Sequence, residues 1–154
     1  MTRTDTDTSQ HTGAHRLSIT SEHLSEMIEH VRSWYPLEGC GLLAMRDDQV
    51  TRVYRGTNVA RSATFYEMDP REVLDSMQDI DERAERLGAI FHSHPSTQAW
   101  PSPTDRELIF DPDVFMIIIS LADDEPDIRA FRDDGEISEV PIQVADTATR
   151  GETP

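Results

Sequence analysis

The segment His92-Ser93-His94-Pro95, followed after six residues by Ser102-Pro103-Thr104-Asp105, sets both the fold and the chemistry of this chain. The two histidines stand at the end of an apolar run, Ala89-Ile90-Phe91, which predicts a buried strand. Side chains of residues i and i+2 of a strand project to the same face, so His92 and His94 point together and Ser93 points away. This pair is suited to holding a metal ion from one side.

The segment after the histidines predicts a helix start. Serine is a good N-cap, proline suits the first helical position, and an acid three residues after the cap completes a capping box. Taken alone, Ser102 and Asp105 predict only that cap. Taken with the two histidines they favour a metal site, because the loop 95–101 can return Asp105 to the strand end. Two histidines and one carboxylate leave the fourth position of a tetrahedral zinc ion to water, which is typical of a catalytic site.

A hydrolytic zinc site also needs a proton acceptor that is not itself a ligand. Glu38 is the candidate, because it precedes an apolar segment whose glycines indicate close packing against the backbone. Its position alone does not distinguish it among 30 acidic residues. Cys40 is either a nucleophile or a small buried residue, and the apolar run favours the second. Trp100 either lines a substrate groove or anchors its loop.

The composition narrows the possible partners. A chain of 154 residues forms one domain with a sizeable core. The formal net charge is −16 and lysine is absent, which disfavours nucleic acid as a partner and suits either a basic protein partner or a salt-rich habitat.

No apolar stretch is long enough to span a bilayer, and the N-terminus lacks a signal peptide. The lone Cys40 cannot form an internal disulfide, which fits a cytoplasmic location.

The patterns predict a single mixed α/β domain over residues 16–145, with disordered tails at 1–15 and 146–154. One helix begins at Thr20 or Ser21 and ends before Pro36, with His23 and His30 on or near its solvent-exposed face. A second helix begins at Asp69 and continues to Leu87, with Gly88 as its stop, and a short helix follows Asp105 to about residue 110. Predicted strands cover residues 16–19, 37–45, 49–55, 64–68, 88–92, 114–121, 127–132 and 137–144.

The pattern Glu38…His-x-His-Pro-x6-Ser-x-x-Asp resembles that of the JAMM (MPN+) zinc metalloprotease family, without a gap or a substitution. The segment from Asn58 to Tyr66 resembles the compact prokaryotic branch of that family. The resemblance implies a mixed β-sheet flanked by helices. It also implies one zinc ion per chain held by His92, His94 and Asp105. Under the same resemblance, Glu38 takes a proton from water and Ser102 steadies the oxyanion.

The resemblance also implies a substrate class. Members of the family cut the amide bond after the C-terminal Gly-Gly of ubiquitin-like or sulphur-carrier proteins. In the compact branch the group released is either a target lysine, as in desampylases, or a cysteine carried by the sulphur carrier. Two alternatives stay open: a RadC-like protein acting on DNA, and a non-catalytic scaffold of the same fold. The sequence leaves the oligomeric state open.

Overall fold

The computed structural model describes residues 16–107 and 111–145. Within these ranges, eight strands form one mixed sheet that carries three helices. The strands are β1 (Leu17–Thr20), β2 (Cys40–Arg46), β3 (Gln49–Gly56), β4 (Arg86–His94), β5 (Phe115–Ser120), β6 (Asp127–Asp133), β7 (Ile137–Val140) and β8 (Ile142–Ala145). The helices are α1 (Ser21–Trp34), α2 (Pro70–Glu82) and α3 (Pro103–Glu107). The predicted mixed α/β architecture is confirmed.

The sheet has the strand order β7-β6-β5-β4-β2-β3-β1-β8. Strands β7 and β8 lie at opposite edges, yet only Pro141 separates them in the chain. The two edges therefore lie next to each other, and the sheet curls around its core. The single final strand predicted for 137–144 is wrong, because a proline cannot donate the ladder hydrogen bond and the chain changes edge there.

Apolar side chains are buried on both faces of this sheet, with the largest cluster on the face that carries Leu43, Phe91 and Ile117. Strand β4 is central, with β2 antiparallel on one side and β5 parallel on the other. All six residues of β5 are buried, as its continuous apolar run predicts. Helix α1 covers the core with Met27 and Val31, both fully buried. The ligand-bearing end of β4 therefore projects from the most rigid part of the fold.

The two longer helices begin where their caps predict. The Thr20 side chain accepts a hydrogen bond from the His23 amide at 3.1 Å, and Asp69 accepts one from the Arg71 amide at 2.8 Å. The second helix, however, ends at Glu82 rather than Leu87. Its exit is a turn through Ala84, which adopts a left-handed φ of 59°. Leu87 and Gly88 consequently belong to β4.

Two further predictions need correction or fall outside the described residues. The strand predicted for 64–68 is wrong, because the segment is a loop whose one bridge joins Asn58 to Met68. The short helix begins at Pro103 and so includes Asp105, while residues 108–110 lie outside the described residues. Both predicted tails lie there too, and the domain limits of 16 and 145 stay predictions. No helix in the described part of the chain is long and apolar enough to cross a membrane.

Candidate metal centre

The C-terminal end of β4 and the first turn of α3 bring three side chains to one point. His92 Nε2 lies 3.3 Å from His94 Nε2 and 3.2 Å from Asp105 Oδ2, and His94 Nε2 lies 3.0 Å from the same oxygen. All three side chains are buried. Among the described residues they form the group of acidic, histidine and cysteine side chains that could hold a metal ion.

The spacing of these three atoms fits a tetrahedral zinc ion. Zinc bonds to histidine nitrogen and carboxylate oxygen are about 2.0–2.2 Å long, and the edge of a tetrahedron is about 1.6 times the centre-to-vertex distance. Ligand atoms around zinc are therefore about 3.2–3.5 Å apart. The observed separations of 3.0–3.3 Å differ from this by a few tenths of an ångström at most. The three residues could hold the ion with only small side-chain shifts.

The two histidine rings are oriented by different contacts. His94 Nδ1 donates a hydrogen bond to the Gln98 carbonyl at 2.7 Å, so Nε2, which faces the centre, is the nitrogen that could ligate a metal ion after losing its proton. His92 Nδ1 is buried and has no hydrogen-bond partner within the described ranges. Its ring instead stacks on Tyr66, with centroids 4.7 Å apart and planes inclined by 25°. On the Nδ1 side, aromatic packing supports the His92 ring, whereas a hydrogen bond supports the His94 ring.

Asp105 serves the helix cap and the ligand cluster at once. Its amide donates to Ser102 Oγ at 3.0 Å, while the Ser102 amide donates to Asp105 Oδ2 at 2.9 Å, so the predicted capping box is confirmed. Burial opposes ionisation, but hydrogen bonds from His92, His94 and the Ser102 amide hold the pKa of Asp105 well below its ordinary value. Since Ser102 Oγ acts as acceptor in the cap, its own O–H proton is available to donate elsewhere.

Glu38 lies close to this cluster but outside it. Its side chain is buried, and Oε1 has no hydrogen-bond partner among the residues that the structure describes. Burial raises its pKa from 4.5 to about 8, with the negative charge of Asp105 adding to this and His94 acting against it. A divalent cation in the cluster would oppose that rise. A buried carboxyl group whose Oε1 lacks a hydrogen-bond partner among the described residues, and whose pKa lies near neutrality, is suited to taking and releasing a proton.

Ser93 joins strand β4, which carries the two histidines, to the residue next to Glu38. Its hydroxyl accepts a hydrogen bond from the Gly39 amide at 2.8 Å, and its amide donates to the Gly39 carbonyl at 3.0 Å. The alternation of side chains along the strand predicts that Ser93 points away from the candidate metal site. No local sequence pattern predicts its contact with Gly39, the neighbour of Glu38. These two hydrogen bonds hold the main chain next to Glu38 against the strand that carries His92 and His94.

Cys40 is a buried free thiol opposite His92 in the β2–β4 pairing. Burial raises its pKa to about 12, and the charges of Glu72 and Glu38 add to the effect. The thiol therefore stays protonated and is a poor nucleophile. The prediction that Cys40 is a small buried residue is confirmed.

His30 does not lie on the solvent-exposed face of α1, so that prediction is wrong. It is half-buried, and its Nε2 lies 3.0 Å from the carbonyl oxygens of both Cys40 and Gly56, to which it donates. Burial lowers its pKa despite these two hydrogen bonds. The helical pattern places His30 outside the apolar stripe of α1. That pattern carries no information about the paired ends of β2 and β3, which contact the His30 side of the helix.

An open groove of about 730 Å³ extends from His94 and Ser102 past Trp100 to Asp123. Trp100 is 53% exposed, and its ring packs edge-on against Phe131 at a centroid distance of 5.1 Å. Trp100 therefore anchors its loop and lines the groove, while the use of this groove by a substrate stays a prediction. Of the three candidate ligands, His94 lines the groove.

Two buried histidines and a carboxylate, beside an unpaired acid, have the donor set and charge of a metal-dependent hydrolase. Residues 20–134 match the family model of prokaryotic homologs of the JAB domain, and the chain belongs to that family. A CysO-cysteine peptidase of Mycobacterium tuberculosis is 34% identical over 84% of this chain and 92% of its own length. A desampylase of Haloferax volcanii is 33% identical over 60% of this chain and 71% of its own length.

Solved structures agree with this assignment. The solution structure of a Desulfitobacterium hafniense protein has a TM-score of 0.77 and 37% identity, and covers 84% of this chain and 93% of that one. The crystal structure of a JAB1/MPN domain protein from Archaeoglobus fulgidus has a TM-score of 0.55 and 20% identity, over 84% and 96% of the two chains. The second likeness shows a shared fold. The family match, the peptidase relative and the ligand cluster together make this chain a hydrolase of the JAMM type.

Proposed function

We propose that this protein is a zinc-dependent peptidase that cuts the amide bond after the C-terminal Gly-Gly of a ubiquitin-like or sulphur-carrier protein. One observation carries the proposal. Three buried ligand atoms lie 3.0–3.3 Å apart, close to the edges of a zinc tetrahedron, beside the unpaired carboxyl group of Glu38. A scaffold without catalysis would have no use for a buried acid that lacks a hydrogen-bond partner.

Each residue has a distinct role under this proposal. His92, His94 and Asp105 hold the ion, which when bound lowers the pKa of water to about 7 and polarises a carbonyl group. Glu38 accepts a proton from water and passes it to the leaving amine. Ser102 donates its O–H, which the cap leaves available, to the developing oxyanion. One such donor contributes roughly 3–4 kcal/mol to transition-state stabilisation.

The relatives favour two leaving groups. The CysO-cysteine peptidase is matched along 92% of its length and the desampylase along 71% of its length. The longer match supports a carrier–cysteine adduct as the first candidate substrate. The desampylase, at 33% identity, supports an isopeptide to lysine as the second.

The partner is then a carrier protein rather than nucleic acid. The net charge of −16 repels phosphate backbones, which disfavours a RadC-like role on DNA. The free, buried Cys40 supports a reducing compartment, so we place the protein in the cytoplasm.

The decisive experiment uses two synthetic conjugates of one Gly-Gly-ending carrier domain. One carries cysteine through its α-amine, and the other carries lysine through its ε-amine. Zinc-loaded enzyme is incubated with each, and mass spectrometry identifies the products. Release of the intact Gly-Gly carrier supports the proposal, and the ratio of the two rates identifies the substrate class. No cleavage of either conjugate by enzyme with stoichiometric zinc would refute it, and a purified protein without stoichiometric metal would favour the scaffold.

A further inference from the structure

Asn58 is fully buried and binds five main-chain groups. Its Nδ2 donates to the carbonyl oxygens of Glu38 at 3.0 Å, of Phe65 at 3.2 Å and, more weakly, of Ser62 at 3.5 Å. Its Oδ1 accepts from two amides at 3.0 Å each. Those amides belong to Ala60 and Glu67. One side chain thus organises the segment 57–68, which we call the Asn58 loop.

The Asn58 loop fixes the main chain of Glu38 on both sides of the residue. The Glu38 amide donates to the Ser62 carbonyl at 2.9 Å, and the Glu38 carbonyl accepts from Asn58. The Glu38 carboxyl atom Oε1 has no hydrogen-bond partner in the described part of the chain. The location of that atom therefore depends on where the backbone of Glu38 is held.

The same amide also determines where Tyr66 lies. Asn58 binds the carbonyl of Phe65 and the amide of Glu67, which are the neighbours of Tyr66 on either side. Tyr66 in turn stacks on the ring of His92. His92 Nδ1 has no hydrogen-bond partner within the described residues, so the ring is held by the stacking contact together with the contact of Nε2 to Asp105 at 3.2 Å.

We propose that Asn58 is a positioning residue for the reaction, which places the base Glu38 and, through Tyr66, the ligand ring of His92. The catalytic part of this inference, that Asn58 affects turnover, rests on the proposed function. Its structural part, that the Asn58 side chain holds the main chain of Glu38, stands independently. The two parts can therefore be tested separately.

If Asn58 only stabilised its loop, any substitution that loosens the loop would have the same effect on turnover. Thr57 provides the matched control for this possibility. Thr57 lies in the same loop, and its Oγ1 donates to Glu72 Oε2 at 2.7 Å. Within the described residues, Thr57 makes no hydrogen bond to Glu38 or Tyr66. Thr57→Val removes that bond and loosens the connection of the loop to α2. If Asn58 only stabilised the loop, Asn58 variants and Thr57→Val would behave alike.

The first measurement is steady-state kinetics on the carrier conjugates with zinc-loaded protein. Asn58→Ala removes all five bonds, while Asn58→Asp keeps an acceptor for Ala60 and Glu67 and loses the donors. We expect kcat to fall about 10²-fold in both variants, the cost of displacing catalytic groups by about 1 Å. KM should stay near the wild-type value, and Thr57→Val should keep the wild-type kcat. Wild-type kcat in the folded Asn58 variants would overturn the proposal.

The second measurement needs no activity. Amide hydrogen exchange of Glu38 is recorded without substrate and compared with exchange in β5, which reports global opening. In Asn58→Ala, we expect the Glu38 amide to lose protection by about 10-fold more than the amides of β5. In Thr57→Val, both should change by the same factor. Unchanged relative protection of Glu38 would overturn the proposal.

The outcomes separate the two proposals. If the wild type cleaves neither conjugate, the proposed function fails while hydrogen exchange still decides whether Asn58 positions Glu38. If Asn58→Ala does not fold, Asn58→Asp is used for both measurements. Failure of both variants to fold, with Thr57→Val folded, would make Asn58 a determinant of folding alone and overturn the proposal.

Discussion

Replacing Glu38 by glutamine should abolish cleavage and stabilise the metal-free protein. Burial raises the pKa of Glu38 from 4.5 to about 8, so the folded state at pH 7 holds a proton that the unfolded state has released. The pH interval between 4.5 and 7, at about 1.4 kcal/mol per pH unit, gives a gross cost of about 3.4 kcal/mol. Structural relaxation and water penetration around the buried group reduce this to roughly 1.5–2 kcal/mol. Glutamine has the same shape and no such cost.

The sign of the pH dependence follows from the direction of the shift. Below pH 4.5 the carboxyl group is protonated in both states, so wild type and Glu38→Gln should differ least there. As the pH rises towards 8, the unfolded state ionises first and the wild type loses stability relative to the variant. The difference should level off above pH 8, where the folded state also ionises.

The assay is urea denaturation of metal-free wild type and Glu38→Gln from pH 4.5 to 8.5, together with zinc content and turnover at pH 7. Glu29→Gln, which removes one charge from an exposed position on α1, is the matched control and should show no such trend. Turnover of Glu38→Gln should fall by about 10²–10⁴-fold with zinc still stoichiometric, since only the proton acceptor is lost. A stability difference independent of pH would refute the electrostatic reasoning, and loss of zinc would make Glu38 a ligand.

Further predictions concern the ligands, the cap and α1. His92→Ala and Asp105→Ala should each lose zinc and activity, measured by metal analysis and turnover; activity that survives a chelator would contradict the zinc mechanism. Ser102→Ala removes both the cap and the oxyanion donor, so kcat should fall about 10²–10³-fold and the free energy of unfolding by about 1 kcal/mol. Burial lowers the pKa of His30, so below pH 6.5 the unfolded state binds a proton that the folded state does not. In metal-free protein, urea titrations should therefore show wild type losing stability more steeply than His30→Gln as the pH falls below 6.5, and parallel curves would refute this.

Sequence reasoning identified the ligand cluster because its signals are local. The i, i+2 spacing of a strand fixes the common direction of His92 and His94. The capping box fixes Asp105 at the third position of α3, and the structure bears out that cap. Continuous apolar runs likewise identified the buried strands β2 and β5.

The errors arose where a distant segment overrides the local pattern. His30 has the spacing of an exposed helical residue, yet its ring binds the carbonyls of β2 and β3. The segment 64–68 has strand-forming residues, yet its main-chain groups are taken by the side chain of Asn58. Gly88 follows a helical pattern, yet a Cβ there would lie 2.2 Å from the Met45 side chain on the neighbouring strand.

The sequence by itself determined the fold class and three candidate ligands, because strand alternation and helix capping act within a few residues. Only the tertiary structure decided how Glu38 meets that cluster. Antiparallel pairing places Cys40 opposite His92, Ser93 binds Gly39, and the Asn58 loop holds the base from the other side. These contacts join segments far apart in the chain, and their geometry depends on the register and curvature of the sheet. No local pattern encodes that register, so the site becomes complete only when the sheet is formed.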